Sequence, residues 1–235
     1  MSKKAWIIFI VIVVGLLTAL VVSSRNANPS IDVSAIELNA VQSASESNGN
    51  IADHVLGKAD SKVLLIEYGD FQCPGCATAH PRIKAITEEY KDELGFVFRN
   101  FPITSIHPNA RVAAAAAEAA GLQGKYWEMH DLIYGNQRAW ETVTGASRSE
   151  VFADYATQLG LSLDQFNSDL GSSAVGQKIA FDMALAKEAA VNSTPTFYLN
   201  GVKLEQEVWG DDTALKSAID AELKKAGITP PAPTE

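Results

Sequence analysis

The chain has 235 residues, of which 47% are hydrophobic and 20% charged, a composition typical of a folded protein rather than an intrinsically disordered one. Nineteen Lys and Arg residues against 28 Asp and Glu give a formal charge of −9, and three of the basic residues precede Asp32, so the remainder carries −12. This acidic balance, with no basic cluster to override it, disfavours nucleic-acid binding.

The amino-terminal segment contains 18 consecutive uncharged, mostly apolar residues, 5–22, near the length that a helix needs to cross a bilayer core of about 30 Å. This segment predicts a transmembrane anchor. A cleaved secretory signal is the alternative, because Val22-Ser23-Ser24 resembles a cleavage site. Lys3 and Lys4 precede the span, which favours a cytoplasmic terminus 1–4 and an extracytoplasmic location for the rest of a single-pass cell-membrane protein.

Two further segments are expected to lie outside the folded domain. Residues 23–50 are poor in aromatic side chains and rich in Ser, Asn and Ala, which predicts a flexible linker. Residues 229–235 contain three prolines and predict an unpacked tail. The folded domain is therefore expected to span 51–228.

The first part of this domain predicts a βαβ unit. Residues 62–68 are apolar on both alternating faces apart from Glu67, as in a central strand that helices cover on both sides. A helix is expected to follow Cys-Pro-Gly-Cys and to end near Leu94, and residues 96–101 predict a second strand.

The last part predicts a ββα unit, separated from the first by helices. Residues 196–199 and 202–204 flank Asn200-Gly201, a strong hairpin signal, and a helix capped by Asp211 or Asp212 is expected to end at Lys225. The intervening residues, about 107–191, carry helical patterns and no convincing strand, so they predict a helical insertion in an α/β fold.

The chain contains two cysteines, Cys73 and Cys76, and a bridge between them closes too small a loop to stabilise a fold. At a strand-to-helix junction Cys73 lies at the helix start, where free N–H groups and the helix dipole favour a thiolate. Cys76 lies one turn later on the same face, within the separation that a disulfide accepts. The pair therefore predicts a redox-active dithiol in which Cys73 reacts and Cys76 resolves.

A zinc half-site is the alternative interpretation of the same pair. His80 lies one turn beyond Cys76, but the sequence has no second cysteine pair and no His-x3-His spacing, so no metal is expected. His107 and His130 are expected to be packed or capping histidines.

Glu67 and Thr194-Pro195 are the other candidate site residues. A buried Glu67 would titrate high and exchange protons with the resolving thiol, whereas an exposed strand end would make it an ordinary surface acid. Thr194-Pro195 predicts a turn, and the residues by themselves do not indicate a cis peptide bond.

Four segments in the same order resemble DsbA-like thiol:disulfide oxidoreductases of the thioredoxin superfamily, especially the membrane-anchored bacterial branch. They are Val63–Cys76 with Glu67 six residues before Cys73, Phe101–Arg111, Gln123–Asp131 and Ser193–Gly201. The resemblance covers nearly everything from Asp53 to Gly227. Any one segment is a weak signal, and the four together are a strong one.

The resemblance implies a thioredoxin fold with a helical insertion, in which Pro195 is cis and faces the cysteine pair and Glu67 is the family's buried carboxylate. It also implies that Thr194 offers its backbone to an extended substrate peptide and that Pro74 and Gly75 lie at the substrate contact. Strongly oxidising members often carry His or another large residue where this chain has Gly75, so the direction of electron flow is left open.

The function expected from these observations is a disulfide-forming oxidase that acts on thiols of secreted or envelope proteins, with no cofactor beyond the Cys73–Cys76 disulfide. The resemblance implies a quinone-coupled membrane reoxidase as partner, and a monomer is the default state. One alternative is a reductase or isomerase kept reduced by a membrane electron donor. A chaperone-like peptide-binding module is the alternative from another class.

Overall fold

The computed structural model describes residues 3–26, 31–145 and 147–232, and the chain divides into two compact units, 1–32 and 33–235. The first unit contains helix α1, Lys3–Asn26. Among the residues that the structure describes, no helix is both long and apolar enough to cross a membrane, so the span predicted at 5–22 is not reproduced. The side chains at positions 5, 8 and 19–22 of that span lie outside the described part.

The second unit is built on a five-stranded mixed sheet with the spatial order β1-β3-β2-β4-β5. Its strands are β1 (Val55–Gly57), β2 (Leu64–Gly69), β3 (Gly95–Asn100), β4 (Thr196–Leu199) and β5 (Val202–Lys203). The central pair β2 and β3 is parallel, because helix α2 (Pro74–Glu89) returns the chain between them. Every residue of β2 and β3 is buried, as the apolar sequence of both strands predicts.

The segment between β3 and β4 forms the predicted helical insertion and contains no strand among its described residues. Its helices are α3 (Ala110–Gly121), α4 (Tyr126–Gly135), α5 (Gln137–Trp140), α6 (Ser147–Gln158), α7 (Leu163–Leu170) and α8 (Ser173–Glu188). After the β4–β5 hairpin come α9 (Gln206–Trp209) and α10 (Asp212–Lys225). Asp211 caps α10 by accepting a hydrogen bond from the Ala214 N–H at 2.8 Å, as predicted.

Two clusters of buried side chains hold the layers together. One joins α2 and α10 to the sheet through Ile83, Phe197 and Ile219. The other joins the sheet to the insertion, where the alanines of α3 let its backbone approach the neighbouring helices closely. Cys73 and Cys76 belong to this second cluster, so the dithiol lies where the insertion meets the sheet.

The linker predicted at 23–50 is wrong for residues 33–50, which belong to the second unit. The guanidinium of Arg99, buried in β3, donates to the carbonyls of Leu38 and Ala40, both at 2.7 Å. Val33 and Asn48 are buried as well. The hydrogen-bond acceptors for Arg99 are backbone carbonyls of this segment. Side-chain composition does not reveal backbone contacts, so the sequence of the segment resembles that of a linker.

Three smaller differences concern element bounds. The sequence prediction omitted β1, a three-residue strand that pairs antiparallel with β3. Helix α2 ends at Glu89 rather than near Leu94, and Tyr90 is the residue after its last turn. In the predicted tail, residues 229–232 carry no helix or strand, and residues 233–235 lie outside the described part.

Candidate active site

The strand-to-helix junction after β2 places the two cysteines at the start of α2. Cys73 is the capping residue of the helix and Pro74 its first residue, a position where the missing N–H of proline costs nothing. Both cysteines are free thiols in this structure, with Cys73 8% exposed and Cys76 fully buried. Pro74 and Gly75 between them are exposed. A partner thiol therefore has access to Cys73 and not to Cys76.

The two thiols differ in acidity because they differ in surroundings. A hydrogen bond from the Cys76 thiol and the backbone N–H groups of Cys76 and Gly75 outweigh burial and lower the pKa of Cys73 to about 5. Burial and the neighbouring Cys73 raise the pKa of Cys76 well above its usual value. At neutral pH the site therefore holds one thiolate, on Cys73, and one thiol, on Cys76.

The loop before β4 packs against this pair. The Thr194–Pro195 peptide bond is cis, which confirms what the resemblance implies. The Cys73 thiol lies 3.4 Å from the Thr194 carbonyl oxygen. A Cβ placed on Gly75 would lie 3.4 Å from Pro195 Cδ and 3.6 Å from Cys73 Sγ, so Gly75 lies against both groups.

Glu67 lies in the middle of β2, opposite Phe98 of β3 and Phe197 of β4, and is 3% exposed. The alternative of an exposed strand end is therefore wrong. Burial, with a smaller contribution from Cys73, raises the pKa of Glu67 to about 8. Its carboxyl group is mostly protonated at neutral pH, and Glu67 is among the groups that raise the pKa of Cys76.

Two buried amide side chains hold the loop that carries Cys73. The Gln137 amide donates to the carbonyls of Phe71 at 2.8 Å and Cys73 at 3.1 Å. The Gln72 side chain accepts from the Asn109 N–H at 2.6 Å and donates to the Glu141 carbonyl at 2.7 Å. These contacts tie the active-site loop to the helical insertion.

A buried carboxylate directly after β2 supports the same loop. Asp70 accepts hydrogen bonds from the N–H groups of Gln72 and Ile103 and contacts His107 Nδ1, all at 2.8 Å. The site residues predicted from the sequence do not include Asp70, Gln72 or Gln137. No local pattern marks them, because most of their partners lie 33 to 69 residues away in the chain.

Comparison with known proteins places this geometry in a family. The thioredoxin family model Thioredoxin_4 matches residues 49–221. Curated relatives include the Na(+)/H(+) antiporter NhaA 1 of Salinispora arenicola, 41% identical over 63% of this chain and 22% of its own. The antiporter NhaA 1 of Mycolicibacterium vanbaalenii is 37% identical over 72% of this chain and 26% of its own. The chain thus spans about a quarter of the length of these relatives.

Solved structures share the fold over most of the chain. A thioredoxin-like oxidoreductase from Silicibacter pomeroyi has a TM-score of 0.61 at 27% identity and covers 76% of this chain and 97% of its own. Oxidised BdbD from Bacillus subtilis has a TM-score of 0.65 at 23% identity and covers 79% of this chain and 98% of its own. The alpha-DsbA1 of Wolbachia pipientis has a TM-score of 0.64 at 23% identity and covers 74% of this chain and 92% of its own.

The last two likenesses, at below 25% identity, show the fold alone. The family model and the cysteine pair at the start of α2 carry the assignment. The chain belongs to the thioredoxin family.

Proposed function

We propose that the chain is a disulfide-forming oxidase that accepts electrons from the thiols of secreted or envelope proteins. The observation that carries this proposal is the unequal thiol pair, an accessible Cys73 with a pKa of about 5 beside a buried Cys76 with a raised pKa. A stabilised thiolate favours the reduced form of the enzyme, and this makes its disulfide a strong oxidant.

The reaction begins with the Cys73–Cys76 disulfide. A substrate thiolate attacks Cys73 Sγ and forms a mixed disulfide, while the bond to Cys76 breaks and the Cys76 sulfur takes up a proton. A second substrate thiolate then attacks the substrate sulfur of the mixed disulfide and releases Cys73 as a thiolate. Two electrons pass from the substrate dithiol, which is oxidised, to the enzyme disulfide, which is reduced.

The surroundings of Cys73 suit an extended peptide substrate. The Thr194 backbone beside the cis-Pro195 bond is in position for strand-like pairing with a peptide whose thiol reaches Cys73. A cavity of about 720 Å³ adjoins Pro74 and is lined by residues of α2, α4 and α5, including Thr78, Tyr134 and Arg138. Side chains that flank the substrate cysteine fit this cavity.

The proposal includes a location and a partner. The apolar segment 5–22 supports an anchor that holds the domain outside the cell membrane, where protein disulfides persist. A cycle of oxidation needs an external electron acceptor to restore the Cys73–Cys76 disulfide. A quinone-coupled membrane protein is the expected acceptor, and protein thiols are the expected substrates.

The test equilibrates the purified full-length chain with glutathione redox buffers, reads the thiol state of Cys73 and Cys76 by mass, and compares the stability of both forms. An oxidase has a reduction potential well above about −200 mV and a reduced form more stable than the oxidised one. A potential near about −270 mV with a more stable oxidised form would reject the oxidase and support a reductase.

Gly75 favours the reductase or isomerase as second candidate, because a glycine between the cysteines supplies no side-chain donor to the Cys73 thiolate. A pure peptide-binding module would show no reversible redox equilibrium. In that case Cys73→Ser would leave peptide binding intact, whereas in either enzyme it abolishes turnover. Cys76→Ser should accumulate mixed disulfides on Cys73 only if the chain is an exchange enzyme.

A further inference from the structure

Three side chains from α2 and α4 form a cluster that the redox mechanism does not use. His80 lies one turn beyond Cys76 in α2, and His130 and Asp131 are adjacent in α4. One donor atom from each lies within 4.8 Å of the other two. Asp131 Oδ1 is 3.4 Å from His80 Nε2 and 3.6 Å from His130 Nδ1. We call these residues the His–His–Asp cluster.

His130 is buried without hydrogen-bond partners. It is 3% exposed, and neither of its ring nitrogens has a partner within hydrogen-bond distance. Its ring is packed among other rings, those of Phe71, Phe98, Trp127 and Tyr134. A buried polar group without a partner costs about 1–3 kcal/mol, so its position among aromatic side chains requires a compensating interaction.

The geometry of the cluster fits a metal ion. Two donors bound tetrahedrally at about 2.1 Å from one Zn²⁺ ion lie about 3.4 Å apart, and the two distances to Asp131 Oδ1 are close to this value. Two imidazoles and a carboxylate are a ligand set that zinc and similar transition metals accept. The hard cations Mg²⁺ and Ca²⁺ prefer oxygen ligands alone.

The surroundings leave the donor atoms available. Lys84 bonds the other carboxylate oxygen, Asp131 Oδ2, so Oδ1 faces the two imidazoles. Burial lowers the pKa of His130, and lowers that of His80 to about 4, so both rings are neutral at pH 7. A cavity of about 70 Å³ adjoins all three donors, which is room for an ion and a water molecule in the fourth position.

We propose that His80, His130 and Asp131 bind one divalent transition-metal ion of the zinc class. The site is distinct from the cysteine pair, for which the sequence favours redox chemistry over zinc. Its ligands come from α2, which carries Cys73 and Cys76, and from α4 of the insertion. Metal binding therefore links the helix of the dithiol to the insertion and stabilises the folded domain by mass action.

The experiment uses the full-length chain with Cys73→Ser and Cys76→Ser, so that thiolates cannot bind the metal. Calorimetric titration with ZnCl2 is expected to show one equivalent bound. Titration with CoCl2 is expected to produce the visible absorption of tetrahedral Co²⁺. Zinc is also expected to raise the melting temperature of this protein.

Ligand variants are made in the same background. His80→Asn and Asp131→Asn are used because their side chains are 13% and 32% exposed, so both proteins are expected to fold, whereas replacing His130 disturbs the core. Each substitution should weaken zinc binding at least about tenfold and abolish the rise in melting temperature. Circular dichroism checks that both variants are folded.

His54→Gln is the matched control. His54 also pairs with a carboxylate, Glu118 at 2.9 Å, but belongs to no cluster of three donors among the described residues. The control should bind zinc as the parent does. The proposal is overturned if the parent binds no stoichiometric zinc, or if binding is the same in the folded His80→Asn and Asp131→Asn variants.

Discussion

Glu67 and Cys73 have pKa values shifted in opposite directions, with opposite effects on stability. The folded state keeps a proton on Glu67 up to pH about 8, whereas the unfolded chain releases it near pH 4.5. The folded state releases the Cys73 proton near pH 5, whereas the unfolded chain keeps it to about pH 9. In the reduced protein the effects of Glu67 and Cys73 on the pH dependence of stability largely offset each other. In the oxidised protein Cys73 is in a disulfide and does not titrate, so of these two effects only that of Glu67 remains.

The stability of the oxidised protein, relative to that of its Glu67→Gln variant, is therefore expected to fall as pH rises from about 4.5 to about 8, because folded Glu67 binds the extra proton. One such group contributes a slope of up to about 1.4 kcal/mol per pH unit. Glu67→Gln should remove this fall, which urea unfolding of both oxidised proteins at several pH values measures.

The reduced proteins provide a check on this assignment. In the Glu67→Gln variant the Cys73 effect remains, so the reduced variant should gain stability relative to the oxidised variant as pH rises from about 5 to about 9. Parallel curves for the oxidised wild-type and Glu67→Gln proteins would contradict the assignment.

At the scale of elements, the helical insertion supports the active-site loop as well as covering the sheet. The loop between β2 and α2 has no regular structure of its own, and its carbonyls at Phe71 and Cys73 accept from Gln137 at the start of α5. Asn109 reinforces the contact by donating to the carbonyls of Trp140, Glu141 and Val143. The position of Cys73 therefore depends on a helix more than 60 residues away in the chain.

Gln137→Ala should destabilise the domain by about 1–3 kcal/mol, because the buried Phe71 carbonyl loses its Gln137 donor and the Cys73 carbonyl keeps only the Ala77 N–H. It should also speed hydrogen exchange in residues 70–73 and slow disulfide exchange at Cys73. Urea unfolding and hydrogen exchange with mass analysis measure these effects.

Gln123→Ala is the matched control, because the Gln123 side chain bonds only the exposed backbone of Ser162. Its cost should stay within about 0.5 kcal/mol. Equal losses in the two variants would show that Gln137 has no special part in holding the loop.

At the scale of the whole domain, a buried charge network joins the segment before β1 to the sheet and the insertion. Asp53 lies 3.0 Å from Arg99 and 2.8 Å from Lys178, and Lys178 also contacts Asp182 at 2.6 Å. Burial alone would raise the pKa of Asp53, but the two cations lower it to about 2. Arg99 also donates hydrogen bonds to the carbonyls of Leu38 and Ala40. The network therefore includes the segment before β1, and the compact unit begins at Val33.

Residues 33–235 are expected to fold with the same unfolding midpoint as the second unit of the full chain. Residues 51–235, the domain bounds that the sequence predicts, should be less stable by about 2–5 kcal/mol, because Arg99 loses two acceptors. Urea unfolding compares the two fragments. Equal midpoints would show that residues 33–50 contribute nothing to the fold.

Local signals in the sequence were enough to predict several of the strands and helices. The apolar run before Cys73, the Asn200-Gly201 turn and the Asp211 cap each depend on neighbouring residues, so their strands and helices were predicted nearly to the residue. The cysteine pair was predicted for the same reason, since one helical turn settles its geometry.

The packing of the domain determines which polar groups lose contact with water and which distant groups meet. Glu67 is buried because strands lie on both sides of it. The cis bond at Pro195 depends on the packing around it. Residues 33–50 join the domain because Arg99 donates to their carbonyls. The His–His–Asp cluster brings together positions 50 residues apart. Desolvation and long-range contacts are properties of the packed domain, and no local pattern contains them.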